Sequence, residues 1–465
     1  MELDARYAAL KILSGCQKKT CTLDKSIDDA QRNLAGMSQQ DRNLCNAIVF
    51  GVLRQQGYID FIIKSFLKKP FEKLDMKVLL ILRIALFQII FLDRIPAFAA
   101  INTSIELAKK YANKNVAGFI NAVLRNACES YQTIALPDQE KNLSAHISVK
   151  YSMPGWLTKK WLTAHGQEKT ISLCQSINTI PPITLRTNTL KTDRKILGAH
   201  LETLGLSVEY TKESLQGIHI SNPGRPVSEI KGFDQGLFQV QDEAAQLVSQ
   251  ILDPQPDETI LDACAGLGGK ACHIAQLMEN KGVVIAADSE SHKLESLGAE
   301  TQRLGILNIQ TRQVDLLKAS IKDFHGYFDR VLLDAPCTGL GVMRRNPDTK
   351  WKRSFKDILR LCAQQKKMLN SAANLVKPGG ILVFAVCSCE PEENEQVIEA
   401  FLKKRKDYSL SSIIDSENLP MDTTRRLSFS DSKLNTAGSF FKTYPDEYYM
   451  DGFFAARLKR AEKKP

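Results

Sequence analysis

Two cysteines stand where thiol chemistry is possible. Cys337 follows an apolar strand-like run, Phe328–Leu333, by way of Asp334-Ala335-Pro336. Cys387 follows a second such run, Gly380–Val386, ahead of Ser388-Cys389-Glu390. In sheets built from alternating strands and helices, the carboxyl ends of the strands carry the reactive groups. Cysteine otherwise packs in cores as a small hydrophobe, but loop rims rich in Pro, Gly and charge are poor places to bury one. An ionised thiol is a strong nucleophile that can form a covalent intermediate. Either thiol could attack, and the spacing does not decide between them.

Upstream, the stretch Asp262-Ala263-Cys264-Ala265-Gly266-Leu267-Gly268-Gly269-Lys270 joins a strand, Thr259–Ala263, to a helix, Lys270–Met278. Its three glycines let the backbone turn sharply and approach a ligand that a Cβ would obstruct. It lacks both the GxGxxG spacing of dinucleotide sites and the GxxxxGK(S/T) of a phosphate loop. The next strand, Gly282–Ala287, ends at Asp288, placed to chelate two ribose hydroxyls. The third, Ile309–Val314, ends at Asp315, placed to meet an adenine amino group, and the fourth ends at Asp334. Any one of these acids could be a helix N-cap. As a set they favour a cofactor with a neutral or positive head, which S-adenosylmethionine fits better than a phosphate-bearing nucleotide. No metal site is expected. Beyond Cys337, the cluster Arg344, Arg345, Lys350 and Trp351 interleaves charge with an aromatic, as suits phosphate contact and stacking on unpaired RNA bases.

These groups need a scaffold, and the pattern supplies three parts. Residues 1–135 read as an all-α bundle, with apolar positions recurring at three and four in Tyr7–Cys16, Leu44–Leu53, Ile59–Leu67, Leu74–Leu92, Ala97–Tyr111 and Val116–Ala127. Residues 136–240 open on an aperiodic linker, then give a small α+β unit with strands Ile183–Arg186, Leu206–Tyr210 and Leu215–Ile220 and a helix Arg194–Leu204. From 241 to 465, strands and helices alternate as in a doubly wound, Rossmann-type α/β sheet. The polar stretch Ser411–Phe440 carries no readable signal.

With 465 residues, one hydrophobic core is not enough. The 43% hydrophobic and 25% charged composition is that of a folded globular chain. The longest apolar run, Val78–Leu92, contains Arg83 and is shorter than the ~20 residues needed to cross a bilayer, so it reads as a core helix and no membrane partner is expected. The N-terminus lacks a signal-peptide plan, and eleven cysteines without a repeated CxxC pair suit reduced thiols in the cytoplasm. The net charge is +10, and residues 1–130 hold 19 Lys+Arg against 12 Asp+Glu. A basic module can hold a polyanion near a second site by counterion release.

The motifs DACAGLGGK, DAPCTGLGVMRRNPDTKW and CSCEPEENEQ, with FQVQDEAAQ just upstream, resemble the RNA cytosine-C5 methyltransferases of the Sun/Fmu (Nop2-like) class. The helical third resembles the NusB-type RNA-binding domain in FGVLRQQGYID, RIPAFAAINTSIELAK and GFINAVLR. The resemblance implies that Cys387 is the nucleophile and that Cys337 serves product release. It also implies that Cys264, Ala265, Gly266, Leu267, Gly268, Gly269 and Lys270, with Asp288, Asp315 and Asp334, bind S-adenosylmethionine. Its substrate would be small-subunit rRNA and its working state a monomer. Two departures stand out: the class commonly has Ala-Pro at Gly266-Leu267 and Thr at Val386. Neither removes a group that the chemistry requires. Cytosine C5 becomes nucleophilic only after a thiolate adds to C6. Lys270 would favour that thiolate, and a protonated Asp334 would contact N3. An RNA-binding assembly factor without catalysis is disfavoured by the paired cysteines and the full cofactor loop. A DNA cytosine methyltransferase is disfavoured by Cys387, the NusB-like part and the lack of a large target-recognition insertion.

Overall fold

The computed structural model describes residues 4–462 apart from 19–20, 35, 69, 112–113, 222, 325, 414–439 and 448, so most of the polar stretch 411–440 lies outside the described residues. The chain divides into two compact units, residues 1–179 with 343–354, and residues 180–342 with 355–465.

The first unit is helical: Ala5–Cys16, Leu23–Leu34, Gln39–Ser65, Met76–Phe91, Ala97–Tyr111, Lys114–Ser130, Leu143–Lys150 and Gly155–Ile177. Met76–Phe91 begins at Asp75, whose carboxylate accepts from the Lys77 and Val78 amides, and it buries every residue from Val78 to Gln88. The one charge in that run, Arg83, is held by Asp60 through two bonds of 2.7 and 2.8 Å. This is the core helix that the apolar run predicts, and no helix among the described residues is long and apolar enough to cross a membrane.

Two expectations change. The runs 44–53 and 59–67 are one helix, Gln39–Ser65. The polar Gln55-Gln56-Gly57 interrupts the apolar period without breaking the backbone, and Gly57 is there for space: a Cβ would sit 2.9 Å from the Trp351 ring and 3.3 Å from Ser152 Cα. The helices Leu143–Lys150 and Gly155–Ile177, beyond the bundle expected at 1–135, also belong to this compact unit, which runs to Thr179.

The second unit begins with a four-stranded antiparallel sheet, β1 (Ile183–Thr187), β2 (Ser207–Tyr210), β3 (Gly217–Ser221) and β4 (Phe238–Val240), in the order β2-β3-β1-β4. The helix Arg194–Thr203 packs on it around Leu185, Leu197, Leu201, Ile218 and Phe238. A larger sheet follows: β5 (Thr259–Asp262), β6 (Val283–Asp288), β7 (Ile309–Gln313), β8 (Phe328–Asp334), β9 (Val376–Val386), β10 (Tyr408–Leu410), β11 (Phe440–Lys442) and β12 (Phe454–Arg460). Its order is β10-β12-β9-β8-β5-β6-β7, with β11 paired to β12. Strands β5 to β9 are parallel, as the alternating pattern predicts. The C-terminal β12 instead runs antiparallel to β9 and makes the sheet mixed. Helices cover both faces, with Glu243–Leu252, Gly269–Leu277 and Ser291–Leu304 on one and Phe355–Ala373 and Glu395–Lys404 on the other. The strand order reverses at β5, between β6 and β8. The crevice at the carboxyl ends of β5 and β8 is therefore the place where this architecture binds ligands.

Candidate active site

The loop after β5 is built to receive a ligand. Gly266 and Gly268 have φ of +55° and +87°, and a Cβ on Gly268 would press to 2.5 Å from Leu297. The Gly269–Leu277 helix starts immediately after, and Arg186 fixes that start by donating to the Gly269 carbonyl at 2.7 Å and to Gln276 at 3.1 Å. Asp262, the last residue of β5, is 1% exposed, and among the described residues neither carboxylate oxygen has a hydrogen-bond partner. Burial, then the neighbouring Asp334, push it up to about 7, against the pull of Lys270 and the Cys264 amide. A buried carboxylate so poorly supplied with donors is costly unless a cationic ligand completes it. Asp288, ending β6, accepts from the Gly266 and Glu290 amides at 3.0 Å each, which orients its carboxylate at the loop. These residues fit S-adenosylmethionine, with its ammonium and its ribose diol. Asp262 lies within the quoted motif but was not singled out; only its burial marks it.

The other strand-end residues divide. Asp334, ending β8, accepts from the Lys270 ammonium at 2.6 Å. Burial works against the charge of Lys270, but Asp334 outweighs it and raises the lysine above its ordinary range. Lys270 also lies over the Phe453 ring, 5.4 Å from its centroid. Asp315 accepts from the Leu317 amide at 3.0 Å and pairs with Lys318 at 3.5 Å, so it caps its own turn at a partly exposed position.

The structure brings the two motif cysteines together: Cys337 Sγ and Cys387 Sγ are 3.3 Å apart at the ends of β8 and β9. The contact with Cys387, burial and the nearby Glu393 and Asp334 carboxylates all push Cys337 well above the ordinary thiol range. These surroundings favour the neutral thiol at Cys337. The charge of Cys387 is among the causes that raise Lys270. The Cys387 carbonyl accepts from the Gly341 amide at 3.0 Å, which ties the two cysteine loops at the backbone.

The cluster after Cys337 is not a solvent-facing loop. Lys350 is 0% exposed and donates to Asn178 Oδ1 at 2.7 Å and to the carbonyls of Arg54 and Ser152 at 3.1 and 3.4 Å. Burial and the nearby Arg54 lower it to about 7. The Trp351 indole N–H donates to the Leu53 carbonyl at 2.6 Å, and Arg54 donates to the Arg344 carbonyl at 3.2 Å. Arg344 is buried and Arg345 half-buried. Lys350 and Arg344 are thus buried and the half-buried Trp351 has its indole N–H engaged within the helical unit, so these three do not form an open basic loop. All eleven cysteines are free thiols.

A family profile described as 16S rRNA methyltransferase RsmB/F matches residues 249–459. A NusB family profile matches 3–129, and a RsmF/B-like ferredoxin-like domain matches 153–228. A Synechocystis protein named probable ribosomal RNA small subunit methyltransferase B is 35% identical over 99% of this chain and 100% of its own. One crystal structure, 26% identical, covers 99% of each chain at a TM-score of 0.82. A methyltransferase homologue from Pyrococcus horikoshii, 28% identical, covers 68% of this chain and 97% of its own at 0.57. With a glycine-rich loop at the sheet's switch point, two thiols in contact beside it and these likenesses along its whole length, the chain belongs to the RsmB/F family of S-adenosylmethionine-dependent RNA methyltransferases.

Proposed function

We propose that this enzyme methylates C5 of cytosine 967 in 16S rRNA through a covalent adduct between Cys387 and C6 of the base. The observation that carries this reading is the 3.3 Å contact between Cys337 and Cys387, set beside the Lys270–Asp334 pair. S-adenosylmethionine, held along Cys264–Lys270 and at Asp262 and Asp288, supplies the electrophilic methyl group when bound. Cys387 adds to C6 as the thiolate. As charge builds on the ring, the proton shared by Lys270 and Asp334 moves toward N3, and C5 becomes the nucleophilic carbon of an enamine.

The two thiols then exchange duties. The Cys387 contact and charge are among the causes that keep Cys337 protonated. Once Cys387 is a neutral thioether, that contribution lapses and Cys337 gives up its proton to water more readily. As a thiolate it removes the proton from C5, the C5–C6 double bond re-forms, and Cys387 departs with the bonding pair. The N3 proton returns to Asp334. The target base must be unpaired or flipped for C6 to be reached. The basic helical unit holds the surrounding RNA, with an affinity that falls as salt rises.

The test is a denaturing gel with labelled rRNA. Cys387→Ala is expected to abolish methylation and any adduct. Cys337→Ala is expected to methylate once and stay attached in a band that survives SDS. An adduct from Cys387→Ala but none from Cys337→Ala reverses the roles, and adducts from neither, with activity intact, end the covalent mechanism.

A further inference from the structure

Glu393 lies in the turn 391–394 leading into the Glu395–Lys404 helix, and both it and its partners are fully buried. One carboxylate oxygen accepts from the Thr338 amide at 2.8 Å and from Gln365 Nε2 at 3.2 Å. The other accepts from the Ser388 hydroxyl at 2.7 Å and from the Thr338 hydroxyl. Thr338 follows Cys337, and Ser388 follows Cys387. A single carboxylate therefore grips the residue next to each thiol. Gln365 reinforces the first loop by donating to the Pro336 carbonyl at 3.0 Å, and Asn394 reinforces the second by donating to the Ser388 carbonyl at 3.1 Å. A carboxylate with four donors is a stiff joint, because every contact is charge-assisted and the site is dry.

We propose that Glu393 is a positioning residue that sets the separation of the two thiols and so allows Cys337 to act on the adduct formed by Cys387. The inference rests on the two-thiol reading above and goes beyond it by naming what holds the pair in register. The attacking thiol needs only the base and the cofactor. The release step needs the second sulfur at a fixed place relative to the first, so a slack joint harms release more than attack. Glu393 is also among the charges that favour the neutral thiol at Cys337, but less so than the Cys387 contact that lapses on adduct formation.

The experiment measures adduct formation and adduct resolution separately, in the full-length enzyme, with labelled rRNA and quenched time courses. In Glu393→Ala, resolution is expected to slow at least tenfold more than formation, so that the covalent band accumulates as in Cys337→Ala. Glu393→Gln preserves one acceptor and offers an N–H that the hydroxyls can turn to accept, so it should restore resolution to within about threefold. If Glu393→Ala folds poorly, as judged by S-adenosylmethionine binding in a calorimeter, the double variant Thr338→Val with Ser388→Ala cuts the two hydroxyl ties, leaves the carboxylate in place and must slow resolution in the same way. Wild-type resolution in Glu393→Ala or in the Thr338→Val, Ser388→Ala double variant, or equal loss of formation and resolution, overturns the proposal. Failure of the underlying two-thiol reading shows up elsewhere, as an adduct formed by Cys387→Ala with Glu393 intact.

Discussion

Lys270 and Lys350 are both sunk in the protein, and each interacts with a cysteine, Cys387 and Cys174 respectively. Their charges nevertheless tend in opposite directions. Lys270 has a carboxylate at 2.6 Å and is raised above the ordinary lysine range. Lys350 has three oxygen acceptors, all of them neutral amides or carbonyls, and falls to about 7. Burial opposes charge in both places; only a formal counter-charge reverses it. The same contrast reaches the thiols, since burial drives Cys174 up to about 12 within the Gly155–Ile177 helix. A cation and a cysteine together make a reactive centre when a carboxylate holds the cation's charge in place, and a packing joint when none does.

The largest test of this contrast is Lys270→Met. It removes the cation near Cys387 and the proton donor behind Asp334, so single-turnover methylation is expected to fall by about 100-fold or more, near 2.7 kcal/mol of barrier. Cys174→Ala, on the other side of the comparison, is expected to leave methylation within about twofold, because an inert buried thiol takes no part. Loss of activity in Cys174→Ala, or its retention in Lys270→Met, breaks the comparison.

A second test is the pH dependence of unfolding. In the folded chain Lys350 titrates near 7, and in the unfolded chain at its ordinary value of 10.5. Between these values the unfolded state binds more protons, so this lysine makes stability rise as the pH rises from 7 toward 10 and contributes no slope below that window. Denaturant midpoints should show that rise in the wild type and lose it in Lys350→Met. The variant also leaves three acceptors unpaired and should be less stable by about 1–3 kcal/mol at the upper end of the window.

The smallest effect sharpens the rule with a third kind of partner. Asp288 is held by two backbone amides rather than by a cation. Asp288→Ala should therefore leave the fold intact while weakening S-adenosylmethionine binding about tenfold, or 1.4 kcal/mol, in a calorimeter. Unchanged affinity would remove Asp288 from the cofactor site.

What could be read in advance followed from local chemistry. The glycine turn at 266–269 and the acids at 288 and 334 announce strand ends because a turn residue and an acid sit directly after an apolar run. Cys337 and Cys387 were placed the same way, but the spacing could not rank them. The surroundings of Cys337 depend on the Cys387 contact, burial and Glu393, which tertiary packing supplies, more than on Asp334 three residues before it. Glu393 was hidden in the acidic run Glu390–Glu395, where Glu390 is also buried and Glu392 and Glu395 partly so, and no residue type marks which carboxylate bridges the two loops. The packing of Trp351 and Lys350 is illegible for a related reason: a basic, aromatic loop has the same composition whether it faces solvent or packs beside Gly57. The antiparallel β12 escaped because direction is set by its pairing with β9, not by any residue type within it.

The excursion of residues 343–354 into the helical unit also bears on the order in which the protein can be made. The helical unit has its own first 179 residues long before it has Lys350 and Trp351. Those arrive about 175 residues later in synthesis, a delay of roughly ten to thirty-five seconds at about 5–20 residues per second. Through that interval Asn178 Oδ1 and the carbonyls of Leu53, Arg54 and Ser152 lack the Lys350 and Trp351 donors that bond them in the finished unit. The amino-terminal unit is thus the first to begin folding and cannot be the first to finish. Its completion is timed by the emergence of the segment that directly follows the Cys337 loop.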